Sequence, residues 1–222
     1  MKRLAATIVL AAALASLLTA PAQTAIPKPS PVASSWQLDI ETRTPHAISV
    51  LLPGAKERQT FWYMVYTVAN HTGSDQTFVP EFTLYTDTGQ VLRAGSQVPA
   101  DVFDFVKRAV NDPHLLDSIA VGGRLLQGDD NAKTGVAIWP DFDPKAGGFD
   151  VFIGGLSGES VEISLPSPVE VVQRTLTGTT QQVTKDKMVL FKTLELQFSV
   201  PGEAAARPRA VVSLEKKDWV MR

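Results

Sequence analysis

Apolar and polar residues alternate along much of the chain with a period of two residues, the pattern of half-buried β-strands. Trp36, Leu38 and Ile40 show this alternation first. The segment Thr60 to Asn70 is instead almost continuously apolar and rich in aromatic and β-branched residues. It predicts a central strand with both faces at least partly covered. Further strands are predicted at 48–52, 78, 82–85, 91–92, 135–139, 149–153, 161–165, 169–176 and 188–200, with a final edge strand within 210–221.

Short clusters of turn-forming residues separate these strands. The cluster 70–75 closes the central strand, and 87–89 follows the strand at 82–85. Such short polar connections predict a meander of antiparallel strands rather than parallel strands joined by helices. About ten short strands of this kind are typical of a β-sandwich.

One segment has the period of an α-helix. Between residues 99 and 110, acidic residues lie toward the start and basic residues toward the end, an order that suits the helix dipole. Pro113 follows the end of the pattern. We expect this helix to lie across one end or face of the sheets and to cover an opening or an edge strand. Its apolar stripe consists of Val102, Phe105, Val106, Ala109 and Val110.

The first 22 residues have the pattern of a secretory signal peptide. Lys2 and Arg3 precede an apolar run, and small residues at 20–22 offer a cleavage site. We therefore expect a secreted protein, either periplasmic or extracellular. The predicted organisation is a signal peptide at 1–22, a flexible leader with three prolines at 23–35, a β-sandwich domain at 36–200, and a C-terminal tail or edge strand at 201–222.

Composition narrows the list of partners. Without the signal peptide, 19 lysines and arginines face 23 aspartates and glutamates, a formal charge of −4 with no basic stripe, which argues against a nucleic-acid partner. No second apolar run is long enough to span a membrane. The chain has no cysteine, so disulfides and a lipoprotein anchor are excluded.

Two pairs of segments resemble a known group of proteins. The run 61–73, continued by 82–89, is similar to secreted bacterial immunoglobulin-like domains. The segments 135–139 and 149–157 resemble the later strands of the same uncharacterised proteins. The resemblance covers about residues 36–200. It implies an all-β fold, an immunoglobulin-like antiparallel β-sandwich with one short amphipathic helix inserted, and it implies no particular activity.

Metal binding has weak support in the sequence. No two of the three histidines are closer than 25 residues. The acidic loops 129–131 and 141–143 offer oxygen ligands of the kind that calcium prefers. The second loop resembles the opening of an EF-hand, but Lys145 replaces an acid and no glutamate closes the loop. We interpret both loops as turn formers and keep calcium binding as the alternative.

Catalytic motifs are equally weak. The segment 155–158 resembles a nucleophile elbow around Ser157, but Glu159 stands where a glycine is required. Gly122 and Gly123 do not lead into a phosphate-binding loop, and no pair of acids lies in a recognisable motif. The sequon 70–72 is interpreted as a turn. We assign no catalytic, cofactor-binding or metal-binding residue.

The four tryptophans suggest a further reading. Trp62 and Trp139 lie in apolar strands and are expected in the core, whereas Trp36 and Trp219 lie near the chain ends and are expected to be more exposed.

Our first hypothesis is a non-catalytic secreted module with a binding, adaptor or structural role toward a protein or polysaccharide. The alternatives are a carbohydrate-binding module, which needs coplanar exposed rings, and a polysaccharide-directed hydrolase, which needs convergent carboxylates with shifted pKa values.

Overall fold

The computed structural model describes residues 26–174, 178–200 and 211–222, so the predicted signal peptide lies outside the described residues. All strand pairs that form its ladders are antiparallel. The strands are β1 (Asp39–Thr42), β2 (His46–Val50), β3 (Gln59–Ala69), β4 (Gln76–Phe78), β5 (Glu81–Thr86), β6 (Val91–Arg93), β7 (Gly123–Leu125), β8 (Lys133–Pro140), β9 (Gly148–Gly154), β10 (Ser160–Arg174), β11 (Thr180–Ser199) and β12 (Ser213–Met221). The helices are α1 (Asp101–Val110) and a single 3₁₀ turn, Asp129–Asn131.

The first sheet is built around β3. Its partner along one edge is β8, and β1 and β2 share the other edge. The register moves from Thr42 opposite Tyr66 to His46 opposite Tyr63, so the β1–β2 side carries one extra residue. This is a β-bulge, and Pro45 lies in it, where its missing N–H removes no ladder bond. Structurally, β1 and β2 are one strand with a kink.

The second sheet has the order β10-β11-β9-β5-β6, with β12 on the other edge of β11. The second half of β11 lies between β9 and β12, whereas its first half, 180–190, pairs with β10 alone among the described strands. We call β10 with this half of β11 the ribbon. The two strands predicted at 161–165 and 169–176 form one strand as far as Arg174, with a register shift at the intervening prolines.

The predicted meander is wrong at its first connection. β3 and β5 belong to different sheets, and the chain crosses between them through β4, which pairs with β7 in a small third sheet. β7 was not predicted at all, because Gly123-Arg124-Leu125 is too short to show an alternating pattern. The predicted edge strand near the C-terminus is confirmed as β12, one continuous strand rather than two pieces.

The two large sheets pack face to face around one apolar core. From β3 the core takes Trp62, Met64, Tyr66 and Val68, which alternate along the strand. The second sheet contributes the inward side chains Leu84, Val151, Ile153, Leu194 and Leu196. In β9 and in residues 194–199 of β11, every second residue is accordingly buried, as expected for two stacked sheets. This arrangement confirms the all-β sandwich class.

The outer face of the first sheet is also apolar, and α1 covers it. Val102 and Val106 of the helix pack with Phe61 and Val65 of β3 in a second buried cluster. The helix lies where the sequence predicts it and ends at Asn111, a left-handed residue whose N–H donates to the carbonyl of Lys107. β3 is thus covered on both faces, as predicted. None of the described helices has the length and apolar character needed to cross a bilayer.

Candidate functional site

The two acidic loops lie at opposite ends of β8. The 3₁₀ turn at 129–131 precedes this eight-residue strand and Asp141 follows it, so about 25 Å separates them. Asp141 accepts hydrogen bonds from the indole N–H of Trp62 at 2.8 Å and from the N–H of Phe142 at 3.0 Å. Within the described ranges, no group of three or more histidines and acids is arranged to hold a metal ion. Asp141 thus binds both the backbone of its own loop and a core side chain of β3.

His71 lies between two aspartates at the end of the first sheet. Its Nδ1 is 2.7 Å from Asp39 and its Nε2 is 3.1 Å from Asp129. The hydrogen bond to Asp39 is the main reason why the pKa of His71 is raised, and the charge of Asp129 adds to it. The imidazole is about half exposed. It ties the start of β1 and the 3₁₀ turn to the loop after β3, which is a structural role.

Asn70, next to His71, is a structural residue whose importance the sequence analysis missed. Its buried amide donates to the carbonyls of Ser74 and Leu125, and its oxygen accepts from both the N–H and the hydroxyl of Thr72. An asparagine followed two residues later by threonine is the signal of this turn. The sequon 70–72 therefore forms a closed turn.

Ser157 is engaged in backbone contacts. Its hydroxyl donates to the carbonyl of Trp36 at 3.1 Å and accepts from the N–H of Glu159 at 3.1 Å. The neighbouring Gly155 has φ +80°, and a Cβ there would lie 2.1 Å from the carbonyl oxygen of Val79. Only glycine fits this position. The segment 155–159 connects β9 to β10 as a tight link.

The outer face of the second sheet, which we call the open face, has none of the described helices on it. One cross-strand row runs over it through Arg93, Thr83, Phe152, Glu195 and Asp218. It passes from a basic end on β6 to an acidic end on β12. Adjacent strands are about 4.8 Å apart, so the row spans about 19 Å. The side chains at the two ends of this row therefore differ in the sign of their charge.

Two cavities on the open face meet at Phe152 and Arg222. The larger has a volume of about 800 Å³ and lies against β11, β12 and residues 26–33 of the leader. The smaller has a volume of about 510 Å³ and lies over β5, β6 and β9. We call the two together the trough, with a leader half and an arginine half. Each is large enough for a ligand of several residues or sugar units.

Arg222 is held by several contacts where the two halves meet. Its backbone exchanges two hydrogen bonds with Phe191, at 2.7 and 3.0 Å. Its guanidinium lies 4.3 Å from the ring centre of Phe152 and 4.5 Å from that of Tyr85, and it also donates to the Tyr85 hydroxyl. Cation–π contacts of this kind orient the group and leave other N–H donors free. Within the described residues, neither Arg222 nor Arg93 forms an ion pair.

The leader is anchored along its described part. The N–H of Ser30 donates to the carboxylate of Glu159 at 2.7 Å, and the Lys192 ammonium contacts the other oxygen of that carboxylate at 3.0 Å. The hydrogen bond from Ser30 is the main reason why the pKa of Glu159 is lowered. Lys192 and Glu159 are both buried. Residues 26–33 thus form one wall of the trough, where the sequence predicted a flexible segment.

Charges in the leader half are matched. Asp218 has a lowered pKa, chiefly through the hydrogen bond to Lys216 and the N–H of Trp219, and the charge of Lys28 in the leader contributes as well. Asp150 lies on the same face, and partial burial raises its pKa. It does not line either cavity. The acidic half of the trough therefore already faces a basic leader residue.

The tryptophans do not form a platform. Trp62 and Trp139 are buried in the core, as predicted, and Trp36 and Trp219 are half-buried. The half-buried pair lines different cavities. Tyr85 and Phe152, the two rings at the centre of the open face, meet edge to face at 79° rather than coplanar.

Comparison with known proteins gives no match to a family model, to a curated protein or to a solved structure. Function is therefore inferred from the geometry of the site.

Proposed function

We propose that this chain is a secreted, non-catalytic β-sandwich module that binds a polypeptide partner in the trough. The observation that carries the proposal is the leader itself. A proline-containing segment of chain lies on the open face and is anchored by its own backbone N–H to Glu159. A surface that holds one segment of chain has the shape and the hydrogen-bonding groups to hold another.

The side chains of the arginine half support binding rather than catalysis. Arg93, Arg222, Phe152 and Thr193 recognise a ligand by charge, apolar contact and hydrogen bonds. Ser157 lines the same cavity, but its hydroxyl is occupied by the backbone of Trp36 and Glu159. We assign no residue of the trough a role in bond breaking.

The proposal also includes secretion and a relationship to the immunoglobulin-like domains that the sequence resembles. The pattern of residues 1–22 supports export. The resemblance of 61–73, 82–89, 135–139 and 149–157 to secreted bacterial immunoglobulin-like domains supports a relationship to that group. The two packed antiparallel sheets are compatible with this relationship. They support it only at the level of architecture.

A polysaccharide-directed hydrolase is the second candidate. The observation in its favour is the raised pKa of Asp150, which shares the open face with Glu195. A carboxyl with a raised pKa is what a general acid requires. A carbohydrate-binding module ranks below both, because the central rings are edge to face.

The test is to select peptides from a displayed library for binding to the purified chain. The selected peptides are then compared on the parent chain and on a variant whose trough is filled by a substitution. Gly154 lies on the floor of the arginine half, and a Cβ there meets nothing closer than 3.5 Å. Gly154→Leu therefore fills the cavity without backbone strain. Thr184→Leu, at an exposed position of the ribbon, is the matched control. We expect selected peptides to bind the parent chain and Thr184→Leu, and to lose at least about tenfold in affinity for Gly154→Leu.

Two results would overturn the proposal. One is a peptide set that binds all three proteins equally, or no enriched peptide at all. The other is release of reducing ends from a polysaccharide by the parent chain that disappears in Asp150→Asn or Glu195→Gln, which would establish the hydrolase instead.

A further inference from the structure

We propose that the arginine half of the trough selects a carboxylate, so that the partner segment is an acidic extended peptide. This inference rests on the proposed function and specifies its ligand. It follows from a difference between the two halves. Ion pairs hold Asp218 and Lys192 of the leader half, whereas neither arginine of the arginine half has an ion-pair partner among the described residues.

The leader half provides the reference. Asp218 pairs with Lys216 of its own strand at 3.2 Å, and the charge of Lys28 in the leader adds to this. The buried ion pair between Lys192 and Glu159 is satisfied as well. The leader segment placed here therefore brings a positive charge toward Asp218.

The arginine half lacks such a complement. Arg93 and Arg222 both line it, and no carboxylate of the described chain pairs with either. Glu81 is the acid that lines this cavity, beside Gly154. It repels a second carboxylate from its own side and so directs an acidic ligand toward the two arginines. The ligand that would complement the two guanidinium groups of this half is an anion.

The geometry of Arg222 suits this role. Its guanidinium is fixed by Tyr85, Phe152 and the backbone of Phe191 before any ligand arrives. A planar guanidinium binds a carboxylate through two parallel hydrogen bonds, and prior ordering of the side chain removes the entropy cost of that contact. A carboxylate on a peptide is favoured over an acidic sugar, because the adjoining half already accommodates a peptide segment, residues 26–33.

Fluorescence anisotropy with defined peptides tests the inference on the chain that begins after the predicted signal peptide. The probe is a blocked peptide of four glutamate–proline repeats, and the neutral control replaces each glutamate by glutamine. We expect the acidic peptide to bind at least about tenfold more tightly than the neutral one. Arg222→Gln and Arg93→Gln should each remove most of that preference.

Arg124→Gln is the matched control variant. Arg124 is an exposed arginine on β7 that pairs with Asp75 at 2.6 Å and lies outside the trough. Its replacement changes the net charge by the same amount and should leave the affinity within about twofold. Thermal melting of each variant verifies that the protein is folded before binding is compared.

Each contrary result has a distinct meaning. Equal affinity for the acidic and neutral peptides overturns the inference and leaves the proposed function standing. Binding of polygalacturonate that depends on Arg222, without binding of the acidic peptide, overturns both the inference and the polypeptide partner. Equal losses in Arg124→Gln and Arg222→Gln show nonspecific attraction and overturn the inference. Absence of acidic-peptide binding up to roughly 1 mM also overturns it.

Discussion

The two large sheets share a core but differ on their outer faces. The first sheet presents Phe61, Val65 and Val136 outward, and helix α1 covers them. The second sheet presents Phe152 among polar and charged side chains, and no described helix covers it. An apolar outer face has to be covered within the fold, whereas a mixed one can stay open to a ligand. The difference locates the candidate site on the second sheet.

Replacing Val106 by aspartate is the strongest way to break the covered face. Val106 is fully buried between α1 and the first sheet. An aspartate at this position buries a carboxylate without a partner in an apolar cluster. We therefore expect Val106→Asp to lower the free energy of unfolding by about 4 kcal/mol. Urea unfolding measures the loss.

The control for this variant is Ala109→Asp. The sequence pattern predicts Ala109 in the apolar stripe of the helix, but it lies on the exposed side. This substitution should cost less than about 1 kcal/mol, mainly through the unfavourable charge near the helix C-terminus. Equal unfolding midpoints for the two variants would contradict packing of α1 on the sheet.

The same substitution on both faces measures the difference between them directly. Phe61 is buried on the covered face, and Phe152 is half-buried on the open face. We expect Phe61→Ala to cost about 3 to 4 kcal/mol and Phe152→Ala about 1 to 2 kcal/mol, because less apolar area is lost at the second site. A larger loss at Phe152 would show that the open face is part of the stabilising core.

Removal of the leader anchor should change the open face and leave the rest of the fold in place. In Glu159→Ala, Ser30 loses its acceptor and Lys192 stays buried without its partner. We expect at least about tenfold faster hydrogen exchange at the Ser30 amide and a lower Tm. Glu162→Ala, which breaks the exposed pair with Lys187, is the control and should leave Ser30 unchanged.

The pH dependence of this contact has a definite sign. The pKa of Glu159 is lowered in the folded protein, chiefly by Ser30. Its contribution to stability is therefore complete above the ordinary carboxyl pKa and is lost as the pH falls through the folded-state value. Faster exchange at Ser30 near neutral pH than in acid, after correction for intrinsic rates, would contradict this assignment.

The smallest effect is expected at His71, which belongs to neither outer face. Its pKa is raised by Asp39 first and then by Asp129, so protonated His71 stabilises the fold. This contribution is present below the unfolded-state pKa and is lost as the pH rises through the folded value. The Tm difference between the parent chain and His71→Gln should therefore shrink from pH 5.5 to pH 8.5, by roughly one or two degrees, since the site is exposed. When both proteins also carry Asp39→Asn, the Tm difference at pH 5.5 between the chains with and without His71→Gln should be smaller than in the parent chain, because the main partner of protonated His71 has lost its charge.

Much of the candidate site was absent from the sequence analysis. Phe152 is recognisable in retrospect, because Phe149, Val151 and Ile153 are buried and the residues between them must point outward. Arg222 offers no such signal. Its place beside Phe191 and over Phe152 depends on the pairing of β12 with β11. The anchor between Ser30 and Glu159 joins residues 129 positions apart.

The alternation of apolar and polar residues was sufficient to predict the all-β class, the position of α1 and the double covering of β3, since each is a property of one segment and of the side chains it must bury. The assignment of β3 and β5 to different sheets, the union of β1 and β2, and the trough arose only in the folded chain. A local pattern specifies which face of a strand is buried, but its neighbour is decided by packing and connections across the whole domain.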